Sequence, residues 1–356
     1  MPTQDPTDKT IQSLQRTLLA LAGLLVLAVV ATVILIAFQL GWITPSAKTV
    51  EQTTTTNDVS SVKPTKTAKP LWQAPSESVL AKTSNGELIR YGKELIANTS
   101  LYLGPKGKVA HIANGMNCQN CHLDSGTKPW GNNYSAVAST YPKFRARSGM
   151  TESIVKRVND CFERSLNGKA LDSTSREMKA IVAYIHFLGD GVPKGENPNG
   201  SGIWKVPYLD RAASPDKGKL AYKQKCVSCH GNTGQGIANP DGNGFTFPPL
   251  WGSHSYNQGA GLFRLSRLAG YIKANMPLGA SWDKPQLSDE DAWDIAAYIN
   301  SMPRPAKDLR NDWPKLASKP VDHPFGPYTD SFSEKQHKFG PFKPIEAYKK
   351  EHPASK

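Results

Sequence analysis

Two pentapeptides constrain this chain more than its size does: Cys118-Gln119-Asn120-Cys121-His122 and Cys226-Val227-Ser228-Cys229-His230. In the pattern C-x-x-C-H, two thiols three positions apart on a helical turn reach the two vinyl groups of one haem. The adjacent imidazole supplies the proximal nitrogen to iron. Cys118, Cys121, Cys226 and Cys229 therefore read as thioether positions, and His122 and His230 as iron ligands, for two covalently attached haem c groups. Paired C-x-x-C elements also hold zinc. Here the pairs are far apart in sequence and a His follows each, which favours haem.

The surroundings repeat with the pentapeptides. Gly92-Lys93 precedes the first and Gly218-Lys219 the second, each opening an expected helix. After each comes a closing helix with a shared core, Ile181-Val182-Ala183-Tyr184-Ile185 and Ile295-Ala296-Ala297-Tyr298-Ile299. This order resembles a class I cytochrome c domain, occurring twice. The expected fold is mainly α, with two such domains in tandem at 77–200 and 201–302. A length of 356 residues suits two domains, and eight Trp, twelve Tyr and eleven Phe exclude full disorder. Residues 303–356 are rich in Pro and Lys and read as an extended C-terminal strap, whose aromatics Trp313, Phe325, Tyr328, Phe332, Phe339 and Phe342 need a surface to bury against.

Ahead of the domains, Leu18 to Phe38 is apolar except for Thr32. It matches the roughly 20 residues that cross a bilayer as a helix, and exceeds the 7–15 of a signal-peptide apolar region. The expectation is a cytoplasmic N-terminus at 1–17, a single-pass transmembrane anchor at 18–43 and a Thr-, Ser-, Lys- and Pro-rich tether at 44–76. Haem attachment outside the bacterial inner membrane, implied by the cytochrome resemblance, puts the haem domains on the periplasmic side. The net charge is +13, all of it beyond residue 46, so the body attracts anions. No phosphate loop or nucleic-acid-binding signature accompanies that charge, and no nucleic-acid partner is expected.

Each iron has a sixth position. Met276, in Asn275-Met276-Pro277-Leu278-Gly279 just before the last helix, is the expected thioether ligand of the second. Met302 lies beyond that helix and is the weaker candidate. The first domain has no equivalent methionine, but it holds Cys161, the unpaired fifth cysteine. A buried inert thiol, an intermolecular disulfide and a thiolate on haem iron all accommodate it. Thr151 to Leu166 reads as a helix with a Thr cap, apolar Ile154, Val158 and Phe162, and Asn167-Gly168 as its stop. Arg157, Cys161 and Ser165 then share one face, a cation, a thiol and a hydroxyl suited to an anionic sulfur compound. Arg145 and Arg147 just upstream extend the anion clamp, and Arg164 is equally accounted for as solvated charge.

With the two haem sites, Cys161-Phe162-Glu163-Arg164-Ser165-Leu166-Asn167-Gly168 resembles the dihaem thiosulfate dehydrogenases that form tetrathionate. The resemblance runs over roughly residues 80–345 and includes Pro324-Phe325-Gly326-Pro327-Tyr328 and Lys338-Phe339-Gly340-Pro341-Phe342. It implies that Cys161 is the distal ligand of the first haem and the catalytic centre, with Arg147, Arg157 and Ser165 around the substrate. It further implies that two thiosulfates become one tetrathionate through a covalent adduct on Cys161, possible in both directions. Electrons pass from the Cys/His haem through the His/Met haem to a cytochrome c or other respiratory acceptor. Some relatives carry Lys before the distal methionine, where this chain has Asn275, a position bearing on the second haem's tuning. A membrane-tethered dihaem electron shuttle explains the anchor and Met276 but gives Cys161 no task. A sulfur-carrier transferase resembling the cysteine-ligated haem subunit of the sulfur-oxidising complex is the third reading.

Overall fold

The two glycines that precede the C-x-x-C-H segments mark the same helix crossing in each half. In the computed structural model, which describes residues 6–39 and 70–353, helix Gly86–Ala97 packs on helix Arg176–Leu188. A Cβ at Gly92 would lie 2.0 Å from the Ala180 carbonyl oxygen. Helix Pro215–Lys225 packs on Asp289–Ser301 in the same way, and a Cβ at Gly218 would lie 1.8 Å from the Asp294 carbonyl oxygen. Only a residue without a side chain lets the backbones approach so closely. Gly92 sits in the middle of its helix and Gly218 in the first turn of its own, so the expectation that each opens a helix holds only for the second. The two closing helices carry the repeated core: Ile181, Tyr184 and Ile185 in the first, Ile295, Ala296, Ala297 and Ile299 in the second, all buried.

Between opening and closing helix of the first half, a two-stranded antiparallel hairpin (Lys143–Arg145 with Met150–Glu152) leads into helix Ile154–Arg164. This helix starts three residues later than Thr151, because Thr151 is paired with Phe144 in the hairpin. Ser153, in extended conformation, supplies the cap: its hydroxyl accepts from the Lys156 N–H at 3.2 Å. The expected stop is present, with Asn167 at φ +42° and the Gly168 N–H donating to the Phe162 carbonyl at 2.9 Å. Ile154 and Phe162 bury one side of the helix in the first core. Phe162 is 1% exposed, a burial that stabilises by about 1.5–3 kcal/mol and fixes the helix's rotation.

Two cores form, one around Leu95, Phe162, Met178 and Tyr184, the other around Tyr222, Leu265, Trp293 and Ile299. They interlock. Tyr256, Ala260 and Phe263, within the span expected for the second domain, are buried in the first core. Asn257 Nδ2 donates to the Glu163 carbonyl at 2.8 Å and to Asn167 Oδ1 at 2.9 Å, fastening this segment to the end of the Cys161 helix. The C-terminal stretch then straps both halves. Phe325 stacks on Phe263 with ring centroids 5.7 Å apart, and Phe342 and Ile345 are buried in the second core. The strap is largely irregular up to residue 333 and then forms helices Glu334–Phe339 and Lys343–Glu351.

The described residues of the N-terminal unit form one helix, Pro6–Gln39, so the described part of the expected N-terminal tail is helical as well. Its stretch Arg16–Val33 has mean hydropathy 2.2, long and apolar enough to cross a membrane, a property signal sequences share. The expected anchor beyond residue 39 and the tether from 44 to 69 lie outside the described residues.

Candidate active site

Both C-x-x-C-H segments close into the same one-turn geometry. The His122 N–H donates to the Cys118 carbonyl at 3.0 Å, and the His230 N–H to the Cys226 carbonyl at 2.9 Å. The first is further pinned by neighbours: the Cys118 N–H donates to Thr99 Oγ1 at 3.0 Å and the Asn117 N–H to Asn120 Oδ1 at 2.7 Å. The two imidazoles are oriented alike. His122 Nδ1 lies 2.6 Å from the Asn132 carbonyl oxygen, and His230 Nδ1 lies 2.9 Å from that of Pro248. A carbonyl only accepts, so Nδ1 carries the proton in each ring and Nε2 keeps its lone pair. That is how a protein orients a histidine for a metal. Burial holds His122 down at about 4, neutral at physiological pH, and pushes His230 down as well.

Around His122 the first half opens into a cavity of about 150 Å³. Cys118, Cys121 and His122 line it from one segment, and Arg157, Cys161 and Ser165 from helix Ile154–Arg164 and its cap. The spacing i, i+4, i+8 thus does bring the cation, the thiol and the hydroxyl to one wall. Arg157 is held above its usual range, first by its electrostatic interaction with the neighbouring Cys161 and against the opposing effect of burial. Burial pushes the Cys118 and Cys121 thiols up to about 11 and about 12, so that neither is a thiolate at neutral pH.

The donor set fits a haem c: two cysteines for the vinyl groups, one imidazole with its Nε2 available, and a cysteine on the same cavity. No group of three or more His, Cys, Asp or Glu side chains comes together as an ion cage among the described residues, and the two cysteine pairs belong to different cores. Both facts speak against a shared zinc site. In the second half Cys226 and Met276 pack on one core, and His230 is buried; Met276 follows directly on helix Leu265–Asn275.

Three arginines of the clamp region divide by partner. Arg164 is spent on structure, a two-pronged pair with Asp312 at 2.8 Å through each prong. Arg147 does not line the cavity: its Nη1 donates to the Gly259 carbonyl at 3.3 Å. Burial, reinforced by Arg164 and Arg157, lowers it to about 10. Arg145 adds its charge to the same neighbourhood.

The structure brings in two residues that sequence reasoning missed, Arg267 and Tyr271, and gives Asn275 a contact across the halves. Arg267, on the second-half helix Leu265–Asn275, lines a second, adjoining cavity together with Cys161, Arg157 and Ser165. On the same helix the Tyr271 hydroxyl donates to the carbonyl of Asn120, inside the first C-x-x-C-H segment, at 2.8 Å. Asn275 Nδ2 donates to the Trp130 carbonyl at 3.2 Å, while its buried Oδ1 has no hydrogen-bond partner among the described residues. No local pattern signals these contacts, because each partner lies more than a hundred positions away.

Residues 215–303 match the family described as cytochrome c, and residues 108–193 the family described as SoxA/TsdA, cytochrome c domain. A thiosulfate dehydrogenase of Psychrobacter arcticus is 38% identical over 253 residues, 70% of this chain and 74% of that protein. One of Stutzerimonas stutzeri is 38% identical over 66% of this chain and 73% of its own length. One of Allochromatium vinosum is 37% identical over 65% and 83%. Among solved structures, thiosulfate dehydrogenase (TsdBA) from Marichromatium purpuratum in its "as isolated" form superposes with TM-score 0.61 and 31% identity, over 67% of this chain and 50% of that one, so the chain spans about half of the solved polypeptide. Two tandem cytochrome c domains, the paired haem-attachment segments and this degree of identity together mean that the chain belongs to the thiosulfate dehydrogenase family, oxidoreductases acting on thiosulfate.

Proposed function

We propose that this protein joins two thiosulfates into tetrathionate at the first-half cavity and passes the two electrons through the second half to an acceptor such as a cytochrome c. The observation that carries this is the cavity shared by Cys161, Arg157 and Ser165 with Cys118, Cys121 and His122. Haem c, when bound at both sites, supplies a one-electron acceptor at each, which matches the two electrons released. His122 and Cys161 are the proposed iron ligands of the first, His230 and Met276 of the second. Thiolate donation lowers a haem's potential and a thioether raises it, which favours flow from the first to the second.

Cys161 has the chemical task. Its sulfur bonds to the terminal sulfur of one thiosulfate, giving Cys–S–S–SO₃⁻ as two electrons leave. The terminal sulfur of a second thiosulfate then attacks the outer sulfur of that disulfide. The new S–S bond forms as the bond to Cys161 breaks, returning the thiolate and releasing tetrathionate. Arg157 offsets the repulsion between two dianions, while Ser165 donates a hydrogen bond to sulfonate oxygen. Arg147 stands behind this wall and adds positive field. The same steps run backward as tetrathionate reduction. The helix Pro6–Gln39 is proposed to anchor the protein in the bacterial inner membrane, haem domains on the periplasmic side.

Replacing Cys161 by Gly tests this reading. Thiosulfate-dependent dye reduction and tetrathionate formation fall to background while both haems stay attached; undiminished turnover in Cys161→Gly rejects the mechanism, and no tetrathionate from the unaltered protein favours a plain electron shuttle.

A further inference from the structure

The second half does more than receive electrons. Arg267 lines a second cavity that adjoins the first-half one and shares Cys161, Arg157 and Ser165 with it, although it belongs to helix Leu265–Asn275 of the other half. The carboxylate whose charge acts on it, Asp322, is already committed, as are those around the neighbouring arginines. Asp322 accepts from Arg264 Nε at 2.9 Å and also receives Ser266. Asp312 is held by both prongs of Arg164. Asp160 pairs with Lys156 and lies 3.9 Å from Arg157. Among the described residues no acceptor hydrogen-bonds the Arg267 guanidinium. A half-buried guanidinium with no carboxylate paired to it can receive an anionic ligand. Burial and the positive charges of Arg264, Arg145 and Arg157 depress it, against the opposing pull of Asp322. The reaction proposed above supplies what is missing, because bringing two dianions onto one thiol needs more cation than Arg157 alone.

We propose that Arg267 is a substrate-binding residue that receives the sulfonate oxygens of thiosulfate, so that one active site is built from both cytochrome halves. The inference rests on the thiosulfate reading of the cavity. Its ligand chemistry is an oxyanion gripped by a planar fork, and a carboxylate of the bound haem would satisfy the same fork. The experiment separates these sources. Thiosulfate is titrated calorimetrically into Cys161→Gly holoprotein, which does not turn over on the reading above, and into Cys161→Gly/Arg267→Gln. In parallel, KM, kcat and the first haem's midpoint potential are measured for Arg267→Gln alone.

The expected result is a Kd weakened about tenfold or more, a matching rise in KM with kcat little changed, and an unaltered potential. Arg267→Lys, which keeps the charge and loses the fork, gives an intermediate Kd and decides the matter should the Gln variant lose haem. An unaltered Kd in both variants overturns the proposal. So does a shifted midpoint potential at unaltered Kd, which assigns the guanidinium to a haem carboxylate. Turnover by Cys161→Gly would sink the catalytic mechanism while leaving the Arg267 Kd comparison readable.

Discussion

Ser165 caps the end of the helix that carries Cys161, and it lines the cavity two turns beyond Arg157. On the proposed mechanism it donates to a charged oxygen, an interaction worth about 1.5–3 kcal/mol. Ser165→Ala should therefore lower kcat/KM for thiosulfate by about 10- to 100-fold with haem content unaltered; steady-state kinetics check this, and an unaltered kcat/KM removes Ser165 from the site. Cys161, Arg157 and Ser165 were legible in the sequence because helical spacing alone brings them to one face. Arg267 was not, because what makes it notable is a set of neighbours from a different half and a nearby carboxylate, Asp322, committed elsewhere. His122 and His230 were legible as residues, but their orientation by the Asn132 and Pro248 carbonyls depends on loop paths that no local pattern encodes.

Helices set the cavity through two crossings and one cap. The Gly92 and Gly218 crossings were visible as a repeat, though their reason, a carbonyl about 2 Å from where a Cβ would stand, was not. Gly92→Ala should destabilise the first half by about 3 kcal/mol, since neither backbone can yield without moving a buried helix. Gly218→Ala should do the same to the second half. Thermal unfolding followed at the haem bands reads this, with Gly92→Ala perturbing the first haem's spectrum and Gly218→Ala the second's; equal stability to the parent protein contradicts the crossing argument. The start of the Cys161 helix was misjudged by three residues for a similar reason. Thr151 and Ser153 are equally good caps in isolation, and only the pairing of Thr151 with Phe144 assigns the cap to Ser153.

Over the whole globular part, the strap ties the halves together through charge as well as aromatic burial. Asp322, from the strap, is fully buried and accepts from Arg264 and from the Ser266 N–H at 3.0 Å, at the start of the helix bearing Arg267 and Tyr271. Burial alone would raise its carboxyl, but Arg264 and Ser266 outweigh it and hold it below the usual range. A depressed folded value means that its contribution is complete above the unfolded value of about 3.9 and is lost as pH falls through the folded one. Asp322→Asn should cost about 3 kcal/mol at neutral pH, and the difference from the parent should shrink in acid below about pH 4. Denaturant unfolding at several pH values checks this, and a difference constant with pH contradicts it. The aromatics of the strap announced that it would pack, whereas its pairing with particular helices follows from the tertiary fold. The account as a whole turns on Cys161 binding the first iron. Electron paramagnetic resonance of the oxidised holoprotein tests that most directly: the account predicts a low-spin thiolate-ligated signal that vanishes in Cys161→Gly while the second haem's signal persists, and a spectrum identical in the two proteins would contradict it.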